Sequence, residues 1–340
     1  MKKYKVAVVG ATGAVGREMI KMLESRNFPV ESIKFLASER SVGKKLTFNG
    51  KEYPVELLTH DGGKGMDIAI YSAGGDVSKE FAPSFAKDGC FVIDNSSAWR
   101  MDKEIPLVVP EVNPGDLKKD KKIIANPNCS TIQMVVALKP LHDYAKIKRV
   151  IVSTYQAVSG AGQKGINELD VQTKAWAKGE TIPAASKFQY QIAFNLIPQI
   201  DVFADYDYTK EELKMTNETK KIMGDQNIMV SATCVRVPVF RSHSETVWIE
   251  TEKSITPEKA KELLSKAPGI ELVDDVANKK YPMPLYAENK QKTYVGRIRK
   301  DISAKDDKAL TFWVVSDNLL KGAALNAVEI AETLVKNGLV

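Results

Sequence analysis

The chain has 340 residues, which is long for a single hydrophobic core, so we expect two domains. Its composition, 44% hydrophobic and 27% charged, is ordinary for a soluble globular protein, and a net charge of +6 spread over scattered lysines gives little support for nucleic-acid binding. Short apolar runs, three cysteines in unrelated contexts and only three histidines argue against a membrane span, a signal peptide, a disulfide framework and a metal site. We therefore expect a cytoplasmic protein without a bound metal.

A glycine-rich turn follows the first apolar segment. Residues 4–9 are typical of a strand buried in a parallel sheet, and Arg17 to Ser25 continues as an amphipathic helix. A strand, a glycine turn and a helix form the context of a dinucleotide site, in which pyrophosphate rests on the helix N-terminus. The spacing G-x-x-G-x-x-G departs from G-x-G-x-x-G, so a plain tight turn is the alternative. The predicted cofactor contacts in this turn are Gly10, Thr12, Gly13, Ala14, Val15 and Gly16.

The end of the second strand indicates which dinucleotide is bound. The segment Ser32 to Ala37 is followed by Ser38-Glu39-Arg40-Ser41. An NAD site usually has an acid here, whereas an NADP site offers hydroxyls and an arginine to the 2′-phosphate. Ser38, Arg40 and Ser41 therefore favour NADP, and Glu39 is the one residue that leaves the preference open.

Further strands and helices alternate up to residue 125. Strands are predicted at 67–72, at 91–94 and before Ala125, with a helix over 77–88 between the first two. The turn Ala73-Gly74 is a second place where backbone approaches a cofactor. The β-α-β order predicts an α/β fold with a Rossmann-type, doubly wound parallel sheet.

One cysteine stands at a junction between a strand and a helix. In Ala125-Asn-Pro-Asn-Cys129-Ser-Thr131, the segment before Ala125 is strand-like, and a helix is predicted from Thr131 up to Pro140, which should stop it. Cys129 is then in the first turn, where the helix dipole lowers a thiol pKa and backbone N–H groups can stabilise an oxyanion. The alternative is a small residue buried near a turn.

The remainder of the chain has the pattern of an α+β domain. Helices are predicted at 163–177 and 209–223, and alternating segments at 227–238, 244–251 and 311–316 predict strands of a mixed or antiparallel sheet. A last amphipathic helix over 322–335 should return to the first domain. We therefore expect an NADP-binding domain, residues 1–128 with 319–340, and a second domain, residues 129–318.

Five segments in this order resemble aspartate-β-semialdehyde dehydrogenase, in its Gram-positive-like branch. They are Gly10 to Gly16, Asn126 to Thr131, Gln156 to Gly160, Arg236-x6-His243 and Asp317 to Ala324. The resemblance covers essentially the whole chain. It implies NADPH-dependent reductive dephosphorylation of L-aspartyl-4-phosphate to aspartate semialdehyde, on the route to lysine, methionine, threonine and diaminopimelate. It also implies a homodimer or homotetramer whose second domain is catalytic and supplies the interface.

The resemblance implies a role for each matching residue. Cys129 is the nucleophile that forms a thioacyl-enzyme, His243 the general acid/base, and Gln156 the residue that orients the substrate. Arg236 binds the α-carboxylate, Arg100 and Lys221 the phosphate, and Glu218 the amino group. The remaining implied residues are Asn128 in the catalytic group and Ser159, Gly160 and Asn318 beside the cofactor.

Two other functions stay open on the sequence. N-acetyl-glutamyl-phosphate reductase shares the fold and the cysteine/histidine chemistry, but Glu218 beside a free amino group favours aspartyl phosphate. A regulator that binds a nucleotide without catalysis is the other alternative. It has no use for Cys129, Gln156, Arg236 and His243 together.

Overall fold

The computed structural model describes residues 2–340, which form two compact units. The first contains residues 2–128 and 323–340, and the second contains residues 129–322. Within residues 2–340, no helix combines the length and the apolar content that a bilayer span requires.

The first unit is built on a seven-stranded sheet. Its elements up to residue 128 are β1 (Tyr4–Val9), α1 (Ala14–Ser25), β2 (Val30–Ala37), β3 (Lys45–Phe48), β4 (Lys51–Leu57), β5 (Ile68–Tyr71), α2 (Gly75–Lys87), β6 (Phe91–Asp94) and β7 (Ile123–Ala125). The strand order is β3-β4-β2-β1-β5-β6-β7, and only β3 runs antiparallel to its neighbour. The predicted doubly wound parallel sheet is therefore confirmed. The hairpin of β3 and β4 was not predicted.

The strand order reverses between β1 and β5, because the chain first adds β2 and β4 on one side of β1 and then adds β5 on the other. At such a switch point the loops that leave the two strands diverge and open a crevice. These loops are the glycine turn after β1 and the segment Ser72 to Gly74 after β5. The topology therefore places both predicted cofactor turns at the position where open α/β sheets bind ligands.

The second unit contains a six-stranded sheet with helices. Its elements are α3 (Cys129–Ala145), β8 (Ile147–Gln156), α4 (Gln163–Ala177), α5 (Lys210–Met223), β9 (Met229–Arg236), β10 (His243–Thr251), α6 (Pro257–Lys266), β11 (Ile270–Leu272), α7 (Pro284–Ala287), β12 (Thr293–Lys300) and β13 (Ala309–Ser316). The strand order is β11-β12-β13-β10-β8-β9. The β8/β9 and β11/β12 pairs are parallel and the others antiparallel, so the sheet is mixed. The sequence did not reveal β11 or β12.

The chain returns to the first unit through α8 (Leu325–Lys336). A π-helical turn over Leu320–Ala324 precedes this helix, which therefore begins three residues later than predicted. Arg26 at the end of α1 forms an ion pair with Glu332 of α8, with 2.6 Å between Nη2 and Oε2. This pair ties the returning helix to the end of α1, the helix that follows the glycine turn.

The prediction that Pro140 ends the cysteine helix was wrong. Helix α3 continues through Pro140 to Ala145. A proline inside a helix removes one backbone hydrogen bond and crowds the preceding turn. Here Leu138, Leu141 and Ala145 are fully buried, and burial of this apolar face stabilises the last two turns.

Candidate active site

Four strands of the second unit begin or end on the same side of its sheet, and the residues at these strand ends form what is called here the strand edge. Gln156 ends β8 and is paired in register with Arg236, which ends the parallel strand β9. Strand β10 runs antiparallel to β8, so its first residue, His243, lies at the same edge, and Ser316 at the end of β13 is its partner. Gln156, Arg236 and His243 are therefore neighbours, because β8 and β9 end where β10 begins.

The Gln156 side chain is buried and held at both ends of its amide. Thr154 Oγ1 donates to Gln156 Oε1 at 2.9 Å, and Gln156 Nε2 donates to Glu211 Oε1 at 3.2 Å. Thr154 is two residues earlier on β8 and therefore points to the same face. Because its oxygen accepts and its nitrogen donates within the protein, the orientation of the amide is determined.

Arg236 is a nearly buried cation. Its Nη1 donates to the Ala157 carbonyl oxygen at 2.6 Å, and its guanidinium carbon lies 5.8 Å from the centre of the Phe188 ring. Burial lowers the pKa of Arg236 from its ordinary value, while the charges of Glu211 and Cys129 raise it. An arginine fork in this setting is suited to bind a carboxylate in bidentate fashion.

His243 is fully buried beside this cation. Its Nδ1 accepts a hydrogen bond from the Ala157 backbone N–H at 2.9 Å. Burial lowers the pKa of His243 well below its usual value, and the Arg236 guanidinium lowers it further. Gly160 approaches both side chains: a Cβ at this position would lie 2.9 Å from Arg236 Nη1 and 3.3 Å from His243 Nε2.

Of the three cysteines, only Cys129 is partly exposed; Cys90 and Cys234 are buried. Burial raises the pKa of both buried thiols, which makes them poor nucleophiles. Cys129 lies in the first turn of its helix, as predicted, and is the first residue of α3, which begins two residues before the predicted start at Thr131; there the helix dipole favours negative charge. A Cβ on Gly322 would lie 2.8 Å from the Cys129 Cβ, so only glycine fits against the cysteine here.

The predicted cofactor residues of the second unit lie next to the same strand ends. Ser159 Oγ and Asn318 Nδ2 are 3.0 Å apart, and Asn318 Oδ1 accepts from the Ser242 backbone N–H at 2.9 Å. Asn318 therefore connects the segment after β13, the segment after β8 and the residue before His243.

Glu218 and Lys221 lie three residues apart on α5, which packs beside β9. Thr209 and Glu212 form a capping box at the start of this helix, and Glu212 Oε1 also accepts from the Cys234 backbone N–H of β9 at 2.9 Å. Glu218 is buried. A buried carboxylate near a lysine fits a site for an ammonium and a phosphate group, and the specific roles stay predictions.

The first unit contains the glycine turn. Gly10 has φ of +76°, and a Cβ on it would lie 2.3 Å from the Ser72 carbonyl oxygen, while a Cβ on Gly16 would lie 2.3 Å from the Gly10 oxygen. Gly13 is the N-cap of α1 and makes no side-chain cap. Glycines at a helix N-terminus let a ligand approach the backbone N–H groups closely, and this arrangement fits the pyrophosphate of a dinucleotide.

The residues predicted for the 2′-phosphate follow β2. Ser38, Glu39 and Arg40 are exposed, and Ser41 Oγ lies 3.1 Å from Thr12 Oγ1 of the glycine turn. Gly74, after β5, has φ of +90° and is the N-cap of α2. The Ser41 hydroxyl thus lies beside the glycine turn, and Ser38, Glu39 and Arg40 are exposed to solvent.

Arg100 and Asn128 are buried residues of the first unit. Arg100 Nε donates to the Asn126 carbonyl oxygen and Nη2 to the Asn95 carbonyl oxygen, each at 3.0 Å. These bonds hold the loops after β6 and β7 together. A structural role is therefore visible for Arg100, and its role in phosphate binding stays a prediction.

Sequence reasoning missed a second layer of polar residues in the second unit. Glu211 accepts from Gln156 and is paired with Lys214, with 3.2 Å between Nζ and Oε2. Glu245 is fully buried two residues after His243, and burial raises its pKa well above the ordinary value. Strand alternation alone places Thr154 beside Gln156 and Glu245 beside His243, so this signal was present in the sequence.

No group of three or more His, Cys, Asp or Glu side chains in the described part of the chain could hold a metal ion. The donors of the site are an amide, a guanidinium and an imidazole, which bind anions and carbonyl oxygens.

Two family models match the chain. The model described as "Semialdehyde dehydrogenase, NAD binding domain" matches residues 5–120, and "Semialdehyde dehydrogenase, dimerisation domain" matches residues 138–321. Aspartate-semialdehyde dehydrogenase of Aquifex aeolicus is 63% identical over 340 residues, 99% of each chain. The crystal structure of aspartate semialdehyde dehydrogenase II complexed with ASA from Vibrio cholerae is 49% identical over 99% of both chains, with a TM-score of 0.95. That of the Candida albicans enzyme with NADP is 27% identical over the full length of both, with a TM-score of 0.78.

The fold and the two matched domains define a semialdehyde dehydrogenase, an NADP-dependent oxidoreductase of the phosphorylating type. At these identities and over this length, the chain belongs to the aspartate-semialdehyde dehydrogenase family. The alternatives of an N-acetyl-glutamyl-phosphate reductase and of a non-catalytic regulator are not favoured.

Proposed function

We propose that this chain reduces L-aspartyl-4-phosphate to L-aspartate 4-semialdehyde through a thioacyl intermediate on Cys129. The supporting observation is the edge of the second sheet, where Gln156, Arg236 and His243 come together. Cys129 lies close enough to this group for its charge to act on Arg236. A partly exposed thiol at a helix N-terminus, a buried arginine and an imidazole are the groups that acyl transfer from a carboxylate-bearing substrate requires.

Each charged residue is assigned to the substrate group of opposite charge. Arg236 binds the α-carboxylate and Glu218 the ammonium group of the substrate. Arg100 and Lys221 are assigned to the phosphate, and Gln156, with Asn128 beside the nucleophile, orients the acyl group. Attack by the Cys129 thiolate forms the C–S bond, and phosphate departs with the electron pair of the broken C–O bond.

NADPH, when bound, supplies the hydride that reduces the thioester. The residues suited to hold it are the glycine turn (Gly10, Thr12, Gly13, Ala14, Val15 and Gly16), Ser38, Arg40, Ser41, Ala73 and Gly74, with Ser159, Gly160 and Asn318 on the nicotinamide side. His243 then serves the tetrahedral intermediate as acid/base, and collapse of this intermediate returns the electron pair of the C–S bond to Cys129. The product aldehyde is a precursor of lysine, methionine, threonine and diaminopimelate, so we place the enzyme in the cytoplasm.

We also assign a homodimer to this chain, with the second unit as the interface. The second family model is described as a dimerisation domain. Ile151 and Tyr155 on β8 are exposed apolar residues, and the Tyr155 ring lies 5.4 Å from that of Trp313 on β13. Analytical ultracentrifugation of the wild type and of an Ile151→Asp variant tests this assignment: the wild type should sediment as a dimer and the variant should dissociate. A monomeric wild type would reject it, and a tetramer would extend it.

The test of the activity is phosphate-dependent reduction of NADP by aspartate semialdehyde, with Cys129→Ala beside the wild type and Cys234→Ala as the matched control. Turnover should occur in the wild type and in Cys234→Ala and vanish in Cys129→Ala. Turnover that survives Cys129→Ala would reject the thioacyl mechanism. Turnover only with N-acetyl-glutamate semialdehyde would reject the substrate.

A further inference from the structure

The segment 186–197, called here the arginine loop, lies beside Arg236 in the second unit. Ile197, at the end of the loop, exchanges two backbone hydrogen bonds with Arg236, at 3.0 and 2.8 Å. The Arg236 guanidinium lies over the ring face of Phe188, near the start of the loop, with 5.8 Å between the guanidinium carbon and the ring centre. The arginine loop therefore lies against both the backbone and the side chain of Arg236.

Glu168 of α4 holds the loop immediately before Phe188. Its Oε2 accepts from the Ser186 backbone N–H and the Ser186 hydroxyl, each at 2.9 Å, and also from the Lys187 backbone N–H. The Glu168 side chain is buried. Burial by itself would raise the pKa of Glu168, but the hydrogen bonds from Lys187 and Ser186 lower this pKa below its ordinary value. A charged acceptor with three donors therefore fixes the backbone that carries the ring.

Two further residues of α4 complete the placement of the ring. Gln172 lies one turn after the glutamate, on the same face of α4, and its Oε1 accepts from the backbone N–H groups of Ile192 and Ala193 at 3.1 and 3.0 Å. The tip of the ring lies against Gly165, since a Cβ there would be 3.1 Å from Phe188 Cζ. The loop is thus fixed on both sides of the ring, and the ring tip packs against a position without a side chain.

We propose that Phe188 is a positioning residue for the substrate carboxylate, that it acts by fixing the orientation of the Arg236 guanidinium, and that Glu168 keeps its ring in place. This inference rests on the proposed function, in which Arg236 binds the α-carboxylate. The hydrogen bond from Arg236 Nη1 to the Ala157 carbonyl oxygen fixes one nitrogen of the fork. One hydrogen bond leaves the group free to rotate about it, and the contact with the ring restricts that rotation. Bidentate binding of a carboxylate requires both nitrogens in a defined plane.

The proposal predicts which kinetic constant depends on Phe188. A cation over an aromatic ring is stabilised by the ring quadrupole, and the stabilisation is larger where water is excluded. The α-carboxylate takes no part in bond making or breaking, so its contact with Arg236 is equally strong in the ground state and in the transition state. Loss of such a contact raises KM for the substrate and leaves kcat unchanged.

The first experiment compares Phe188→Leu with Phe194→Leu in phosphate-dependent reduction of NADP by aspartate semialdehyde. Leucine keeps an apolar side chain against α4 but has no ring face. In Phe188→Leu, KM for aspartate semialdehyde should rise about tenfold, with kcat and KM for NADP within about twofold of the wild type. Phe194 is the matched control, because it belongs to the same loop, is 60% exposed and packs on Trp176 with 4.7 Å between ring centres.

Three results of this comparison would overturn the inference in a Phe188→Leu variant whose circular dichroism matches the wild type. The first is an unchanged KM for aspartate semialdehyde. The second is a fall in kcat at constant KM, and the third is an equal rise in KM in Phe194→Leu.

The second experiment tests Glu168 through the same constants. Glu168→Ala removes the acceptor of the three hydrogen bonds, so KM for aspartate semialdehyde should rise as in Phe188→Leu. Glu168→Gln retains an acceptor oxygen and should recover about half of this rise on a logarithmic scale, because a neutral acceptor forms weaker hydrogen bonds than a charged one. A wild-type KM in Glu168→Ala would reject the assigned role of Glu168.

The third experiment needs no turnover. Phenylglyoxal modifies guanidinium groups, and mass spectrometry of the Arg236 peptide gives the rate at this residue. Modification should be several-fold faster in Phe188→Ala than in the wild type and in Phe194→Ala. Equal rates in the three proteins would overturn the contact of Phe188 with Arg236. Lack of wild-type turnover with aspartate semialdehyde would instead reject the proposed function and the carboxylate role with it, whereas the modification rates decide separately whether Phe188 covers Arg236.

Discussion

The glycine turn of the first unit and the strand edge of the second are built in opposite ways. The turn occupies seven consecutive residues, and its tight approaches are backbone to backbone, such as Gly10 against Ser72. The strand edge draws Gln156, Arg236 and His243 from positions up to 87 apart, and its contacts are between side chains or from side chain to backbone.

This difference determines how each site responds to change. A site made of backbone tolerates many side chains but no added Cβ at the glycines. A site made of buried polar side chains depends on every partner, because each lost partner leaves another group unsatisfied. The following predictions separate the two cases, from the largest effect to the smallest.

Arg236→Lys tests the side-chain site. A lysine keeps the charge but cannot form the planar fork, and we expect kcat/KM for aspartate semialdehyde to fall by roughly 10²–10³. NADP binding, measured by titration, should stay unchanged. Arg149→Lys is the control, since Arg149 is an exposed partner of Glu250 on the same sheet. Equal loss in both variants would contradict the assigned carboxylate role.

Gly10→Ala tests the backbone site. The new Cβ would clash with the Ser72 carbonyl oxygen, and alanine would have to adopt the unfavourable φ of +76°. The free energy of unfolding should therefore fall by about 2–5 kcal/mol, and NADP affinity should fall with it. Gly43→Ala separates the effect of the positive φ from that of the steric clash. Gly43 has φ of +80° with nothing near its Cβ, so only about 1–2 kcal/mol is expected there. Urea denaturation of both variants measures these losses, and equal losses would mean that the close approach is unimportant.

Glu211→Gln tests the second layer. The variant keeps the shape but removes the charge that faces Gln156, Lys214 and Arg236. We expect kcat to fall about tenfold, the order of one to two kcal/mol for a charged hydrogen bond. Glu262→Gln is the control, because Glu262 is an exposed residue of α6 that pairs with Lys259. An unchanged kcat would show that the negative charge of Glu211 is not needed for turnover.

Glu245→Gln tests the buried carboxyl through pH. The pKa of Glu245 is raised in the folded state, so the folded protein holds a proton that the unfolded chain releases above the ordinary glutamate pKa. Wild-type stability from this group is therefore complete at low pH and declines as pH rises towards the folded pKa. Glu245→Gln should have a flatter curve of unfolding free energy against pH. A curve parallel to the wild type would show that Glu245 ionises normally.

The accuracy of the sequence predictions followed the same division. Helix α4 was predicted at its observed bounds, and Cys129 at the strand-to-helix junction in the first turn of its helix, because periodicity and junction signals are local. The continuation of α3 beyond Pro140 was missed, since burial of the helix face outweighs a local break. The strands β11 and β12 were missed because long-range pairing stabilises them.

The sequence by itself determined the strand–glycine–helix turn, the cysteine at a helix start and the identity of the residues that carry charge. These depend on neighbours in the chain, where steric and dipolar effects act directly. Only the tertiary structure decided that Thr154 and Glu211 hold Gln156, and that the Ala157 backbone N–H donates to His243 Nδ1. Hydrogen bonds between distant segments form only when strands pair in register, and no local pattern specifies them.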